Sequence, residues 1–382
     1  MQNQLKPKIG KNTTFRVMFT SISILFLLAL IGFIISTQYK TDFKISQFFE
    51  KALEYEVVKY WAVFYEMLGN TLLAPFICFA LMVIVESWFL YKSQNKQMNF
   101  FSKNRWIVKA LYLFLLVLFL IVVSVVSYLQ LKQGNGFGPE GDAVFLMSSW
   151  YRKIAIISMI IVDLIIMVVG FCLIHFKFAR SKDFLVNQYW IQAIKILLFA
   201  ALSYIVVVFL KGLTSRPYYY NVIYGDLLEK MKNQGHADWV EHYLNQSSFR
   251  HGFDIGDGKF DHNISGDWPW YVINGSAFKP AKNLALYKNW VEWAFPSGHL
   301  IATLTIGTTF FFFLSNNKKL TYKKIIWLLI FLLHLLSMTF ALIVDRGHWF
   351  SDVSFSYLFG LPLIWIVNKI GIKIQQKIND RT

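Results

Sequence analysis

The chain has 382 residues, of which 56% are hydrophobic and 16% charged, against about 45–50% and about 25% in soluble globular proteins. That balance excludes an ordinary water-soluble fold, and it concentrates the apolar residues in runs long enough to cross a bilayer. The formal net charge of +16 sits beside those runs, so membrane orientation explains it better than nucleic-acid binding.

The first apolar run, Met18 to Ile35, follows Lys6, Lys8, Lys11 and Arg16. It is long for a signal sequence and no small-x-small cleavage site follows, so it reads as an uncleaved first span. Seven more candidates follow, giving eight spans over Phe15–Ser36, Leu68–Tyr91, Trp106–Leu129, Ile154–Phe176, Ile191–Leu210, Leu300–Leu314, Ile325–Val344 and Val353–Val367. The expected fold is all-α and polytopic. Cys78 and Cys172 lie inside apolar runs, with no metal-ligand spacing.

Orientation comes from the flanks. Nineteen Lys and Arg residues border one side, against Asp183 and Asp380. The long connection from Lys211 to Phe295 is balanced, with nine basic and nine acidic residues. The positive-inside rule therefore places both termini in the cytoplasm of a multi-pass cell-membrane protein, and the long loop outside. That loop carries Trp239, Trp268, Trp270, Trp290 and Trp293, which suit a cap at headgroup level or an ordinary packed loop.

Three clusters border the outer ends of the last four spans: Lys211 with Arg216-Pro217, Phe295-Pro296-Ser297-Gly298-His299, and Asp345 to Asp352. Bundling brings them to one place. Lys211 and Arg216 suit phosphate oxygens. Gly298 lets a ligand approach a helix start, whose free N–H groups attract an anion. His299 and His348 are imidazoles that change charge near neutral pH. Asp352 follows His348 by four residues, so on a helix it can fix the imidazole tautomer. A nucleophile, an orienting acid, a second acid–base group and an anion cradle describe phosphoryl transfer through a covalent intermediate. Asp163, deep in the fourth span, is either a functional carboxylate or an interhelical contact. His334 reads as a packing residue.

At these residues the chain resembles the type 2 phosphatidic acid phosphatase family, whose motifs are K-x6-R-P, P-S-G-H and S-R-x5-H-x3-D. Pro296-Ser297-Gly298-His299 matches the second motif in full, and His348 and Asp352 match the H-x3-D of the third. The resemblance covers roughly Trp106 to Lys369 and implies a six-helix phosphatase core. It divides the chain into a two-helix extension, residues 1–100, and a core, residues 101–382, that includes the outer loop 212–295. It implies that His348 becomes phosphorylated, Asp352 orients it, and His299 protonates the leaving alcohol and then activates water. Lys211, Arg216, Ser297 and Gly298 would hold the phosphate. No metal or cofactor is implied, and the substrate would be a membrane lipid phosphate. Two departures stand out. Arg216 follows Lys211 after four residues instead of six, and the Ser-Arg pair falls on Ala341-Leu342. Arg346 is the candidate to supply the missing guanidinium. The same residues are also compatible with a lipid headgroup phosphotransferase, or with a non-catalytic lipid-binding protein on a degenerate core.

Overall fold

The computed structural model describes residues 13–94, 103–131, 146, 149–244, 269–273, 293–316 and 321–380. These residues form an all-helical bundle with no strand among them; one isolated bridge joins Pro217 to Trp293. Seven helical segments are long and apolar enough to cross a membrane, and a shorter apolar one, Gly298–Phe313, takes the place of the expected sixth span.

In chain order the helices are α1 (Thr13–Ile35), α2 (Tyr39–Glu50), α3 (Glu56–Thr71), α4 (Leu73–Gln94), α5 (Trp106–Leu131), α6 (Ser149–Cys172), α7 (Tyr189–Thr214), the short α8 (Tyr219–Val222), α9 (Tyr224–Met231) and α10 (Ala237–Leu244), α11 (Gly298–Gly307), α12 (Phe311–Asn316), α13 (Tyr322–Val344) and α14 (Phe350–Asn379). The second expected span sits inside a continuous α3–α4 segment. Residues 37–67 lie between the first two expected spans. The structure folds them into α2, a short 3₁₀ turn and most of α3.

Why these runs hold as spans is visible in what they expose. On α5, Leu113, Phe114, Val117, Leu120 and Ile121 all face outward. In water such a face would be a liability; against lipid it is the ordinary state, because a helix satisfies its own backbone. α11 is the opposite case. Every residue from Leu300 to Ile306 is buried, and it touches α3, α7, α13 and α14. Enclosed by protein, it has no need to match the bilayer's thickness.

α1 runs along α14, α4 along α7, and α3 rests on α6 and α13. At one end of the bundle Lys324 Nζ donates to Thr14 Oγ1 and to the Phe313 carbonyl, while Lys195 Nζ reaches Asn368. The start of α1, the start of α13 and the latter part of α14 therefore share one end. The three sequence clusters share the other.

Candidate active site

Each cluster is placed by a local helix boundary. α7 stops just after Lys211, because Ser215 adopts a left-handed conformation at φ 46° and its N–H returns to the Lys211 carbonyl. A reversal this abrupt turns the next residue inward after four positions, which accounts for the short spacing to Arg216. The Arg216 carbonyl then accepts from Ala294 N at 2.8 Å, tying the first cluster to the second.

Ser297 is the N-cap of α11, and its Oγ accepts from Leu300 N at 3.4 Å. Its own N–H donates to Ser356 Oγ of α14 at 2.9 Å. Gly298 begins the helix, and among the described residues a Cβ there would meet nothing nearer than a Val207 methyl at 4.0 Å. The helix start that would attract an anion thus has room for one.

The third cluster is a tight turn between α13 and α14. His348 N donates to the Leu342 carbonyl at 2.8 Å, so Leu342, at the family's arginine position, contributes its backbone to the turn. Asp352, at the third position of α14, accepts from Trp349 N at 3.1 Å, reaching back to close the helix start. Trp349 Nε1 donates to the Pro217 carbonyl at 2.8 Å, which fastens this turn to the first cluster.

The two histidines face each other with ring centroids 6.5 Å apart, near perpendicular. His348 is buried, its Nδ1 lies 3.5 Å from Asp352 Oδ2, and Tyr218 meets its ring edge-on at 5.2 Å. That nitrogen separation is longer than an ordinary hydrogen bond, so the pair is poised and not closed. Burial depresses the His348 pKa below its usual value, and Asp352 opposes part of that fall. The His299 ring approaches the Glu66 carbonyl, and its Nε2 is buried with no hydrogen-bond partner among the described residues. α3 lies flush against this imidazole: a Cβ on Gly69 would come within 2.0 Å of the His299 ring. Glycine is required there by close approach.

The cations divide. Lys211 Nζ is buried beside His348, donating to the Trp293 carbonyl and to Tyr218 Oη. Arg216 is enclosed: Nη1 donates to Asp352 Oδ1 at 2.7 Å and to Ser351 Oγ at 2.6 Å, and Nη2 donates to Asp42 Oδ2 at 2.9 Å. Its guanidinium also stacks over Trp349, 4.5 Å from the ring centroid. Arg346, in a left-handed conformation at φ 64°, turns its Nε to Glu50 Oε2 at 2.6 Å. It lines a cavity of about 790 Å³ whose walls also include Lys44, Lys51, Lys59 and Lys230.

Four of these contacts come from residues the sequence reading passed over. Asp42 and Glu50 on α2, and Glu66 and Gly69 on α3, all border the site. Asp163 is fully buried in α6 and His334 stacks near Tyr65, neither among the three clusters. Trp270 packs on Phe295 and Phe33. Trp239 falls within α10, and Trp268 and Trp290 lie outside what the structure describes.

The model of the PAP2 superfamily matches residues 192–375, just under half of the chain, and that segment holds all three clusters. Residues 192–375 belong to the PAP2 superfamily. The match begins at α7, well after the Trp106 that the sequence reading took as the start of the resemblance, and it leaves α1–α6 outside. A protein of Mycoplasma capricolum subsp. capricolum, described as an uncharacterized protein, is 52% identical over 369 residues, 96% of each chain. No solved structure matches. With a PAP2 superfamily domain and helices of membrane-crossing length, the chain is a phosphatase-like membrane protein.

Proposed function

We propose that the protein hydrolyses a lipid phosphomonoester or diphosphate through a phosphorylated His348. The observation that carries this reading is the pairing of two imidazoles across a gap, one of them backed by a buried carboxylate 3.5 Å away.

In this reading, Asp352 holds the proton of His348 on Nδ1 and leaves Nε2 with a free lone pair. Nε2 attacks phosphorus, a P–N bond forms, and the bond to the lipid oxygen breaks. The departing oxygen takes a proton from His299. Water then gives a proton back to neutral His299 and attacks phosphorus, releasing inorganic phosphate and restoring His348. Lys211 and the first amides of α11, at Ser297 and Gly298, hold the phosphoryl oxygens. Arg216 stands behind Asp352, and Arg346 serves the phosphate only by leaving Glu50.

Residues 101–382 constitute the catalytic core and residues 1–100 an extension. The site faces away from the cytoplasm and both termini face it, a placement supported by the basic flanks. A lipid substrate is supported by the site's place at the ends of helices long and apolar enough to cross a membrane.

Purified protein in detergent, given a panel of lipid monophosphates and diphosphates, tests the reading. Phosphate release that disappears in His348→Ala and His299→Ala supports it. Transfer of the headgroup to a second lipid alcohol, without phosphate release, would make the protein a phosphotransferase. No turnover of any lipid would overturn catalysis.

A further inference from the structure

The charge on Arg216 is shared. Its Nη1 is given to Asp352, the residue behind His348, and its Nη2 to Asp42. Asp42 belongs to α2, far outside the matched segment 192–375. It is fully buried, and its contacts are specific. Oδ2 takes Arg216 Nη2 at 2.9 Å and the Ser351 hydroxyl at 2.5 Å, while Oδ1 takes the Ser351 N–H at 3.2 Å. Asp42 therefore also satisfies a free amide at the start of α14, the helix that carries Asp352. Burial raises its pKa, and Arg216 and Ser351 pull it back.

We propose that Asp42 is a positioning residue of the site, which holds Arg216 and the start of α14 so that Asp352 keeps its charge for His348. The proposal rests on the phospho-histidine reading. When Nε2 of His348 bonds to phosphorus, the ring retains its Nδ1 proton and becomes a cation. Asp352 stabilises that cation, and a guanidinium bound to the same carboxylate opposes it. Two carboxylates on one guanidinium leave the Asp352–Arg216–Asp42 group with a net negative charge next to the ring. With one carboxylate, the group is neutral and the cation loses support.

Asp42→Asn tests this, because it keeps the shape and removes the charge. The groups facing His348 are Asp352 in the first turn of α14, Lys211 and Tyr218 from the first cluster, and His299 from α11; all are retained. The expected result is a kcat about tenfold lower, smaller than the ~10²-fold loss that follows removal of a direct transition-state donor because Asp42 acts through Arg216 and Asp352, with KM within about twofold. The acid limb of kcat/KM should move to lower pH, since a less stabilised imidazolium loses its proton earlier. The pH dependence of His348 modification by diethylpyrocarbonate, with His348→Ala as blank, reads the same shift without turnover. An inactive parent would thus fail the phosphatase reading while the modification curve still judges Asp42. Unchanged kcat and an unmoved curve would overturn the proposal, and so would a higher kcat, which would make Asp42 a block on Arg216. If Asp42→Asn does not fold, Ser351→Ala removes the hydroxyl that links Asp42 Oδ2 to Arg216 Nη1, loosening the position of Asp42 while the direct Arg216–Asp42 pair and its charge remain. In that variant kcat should fall with the acid limb unmoved. A kcat equal to the parent's in that variant would equally overturn the proposal.

Discussion

Arg346 Nε and Glu50 Oε2 lie 2.6 Å apart, so the guanidinium two residues before His348 is held by the segment between the first two spans. Arg346 is nearly fully buried and the Glu50 side chain is 14% exposed. Removing one partner of such a pair strands the other, and the full cost applies only to complete burial.

Arg346→Ala is therefore expected to destabilise the protein by about 1–3 kcal/mol, and Glu50→Gln by less, since an amide still accepts. The double variant Arg346→Ala, Glu50→Gln should be no worse than Arg346→Ala alone. Thermal unfolding in detergent measures this. Turnover per folded molecule tells the other half. If Glu50→Gln turns over faster than the parent, releasing Arg346 helps the phosphate and the arginine belongs to the phosphate cradle.

An activated ester separates the two roles of His299. A nitrophenyl phosphate needs no proton on its leaving group, so His299→Ala should still transfer phosphoryl to His348 and then stall, with water unactivated. Rapid mixing should show a burst of nitrophenolate equal to the enzyme, and an acid-labile phosphate on His348. No burst in His299→Ala would assign water activation elsewhere.

The depressed His348 pKa sets the acid side of the rate profile. A nucleophilic imidazole must be neutral, and burial favours the neutral form. The acid limb of kcat/KM should therefore fall below the ordinary histidine value of 6.5. Asp352→Asn removes the opposing carboxylate, so its limb should lie lower still while kcat drops by about 10²-fold or more. A limb above the ordinary value would show that His348 is not the titrating group.

Asp345 gives a pH signature in stability. Burial pushes its pKa up to about 7 from 3.8, while the Gly347 amide, 2.6 Å from Oδ1, and Arg346 pull it down. Between those two values the folded state binds more protons than the unfolded chain. Stability therefore falls as pH rises through that window, by up to about 4 kcal/mol, and is lowest above it. Melting at pH 6 should exceed melting at pH 8, and Asp345→Asn should remove much of the difference. A variant as pH-sensitive as the parent would place the effect on another group.

Topology has a direct test in the loop end of the bundle. Gln234 is exposed, and Cys172 is the exposed native thiol. In a Cys172→Ser background, Gln234→Cys should react with an impermeant thiol reagent on intact cells. Labelling only after lysis would reverse the orientation.

Hydrophobic runs made the spans legible, because each long apolar helix announces itself by composition alone. The motif residues were legible for a different reason: Pro296 to His299 and His348 with Asp352 lie at span ends, where spacing and polarity stand out. α2 and α3 did not stand out. Asp42, Glu50 and Glu66 fall between apolar runs, and a carboxylate that will be buried looks in sequence like one that will be solvated. The signal was present only as three acidic residues on the site side of a strongly basic chain. Arg346 shows the same limit from the other side, since its distance from His348 in sequence says nothing about the carboxylate it meets.

Gly69 has a consequence for what can enter. With α3 pressed against the Cδ2 side of the His299 ring, that side is closed to a ligand. A ligand arrives past Gly298, where space remains, and finds a wall at α3. Compounds that reach the site will be narrow ones, shaped like a tetrahedral head on a single chain.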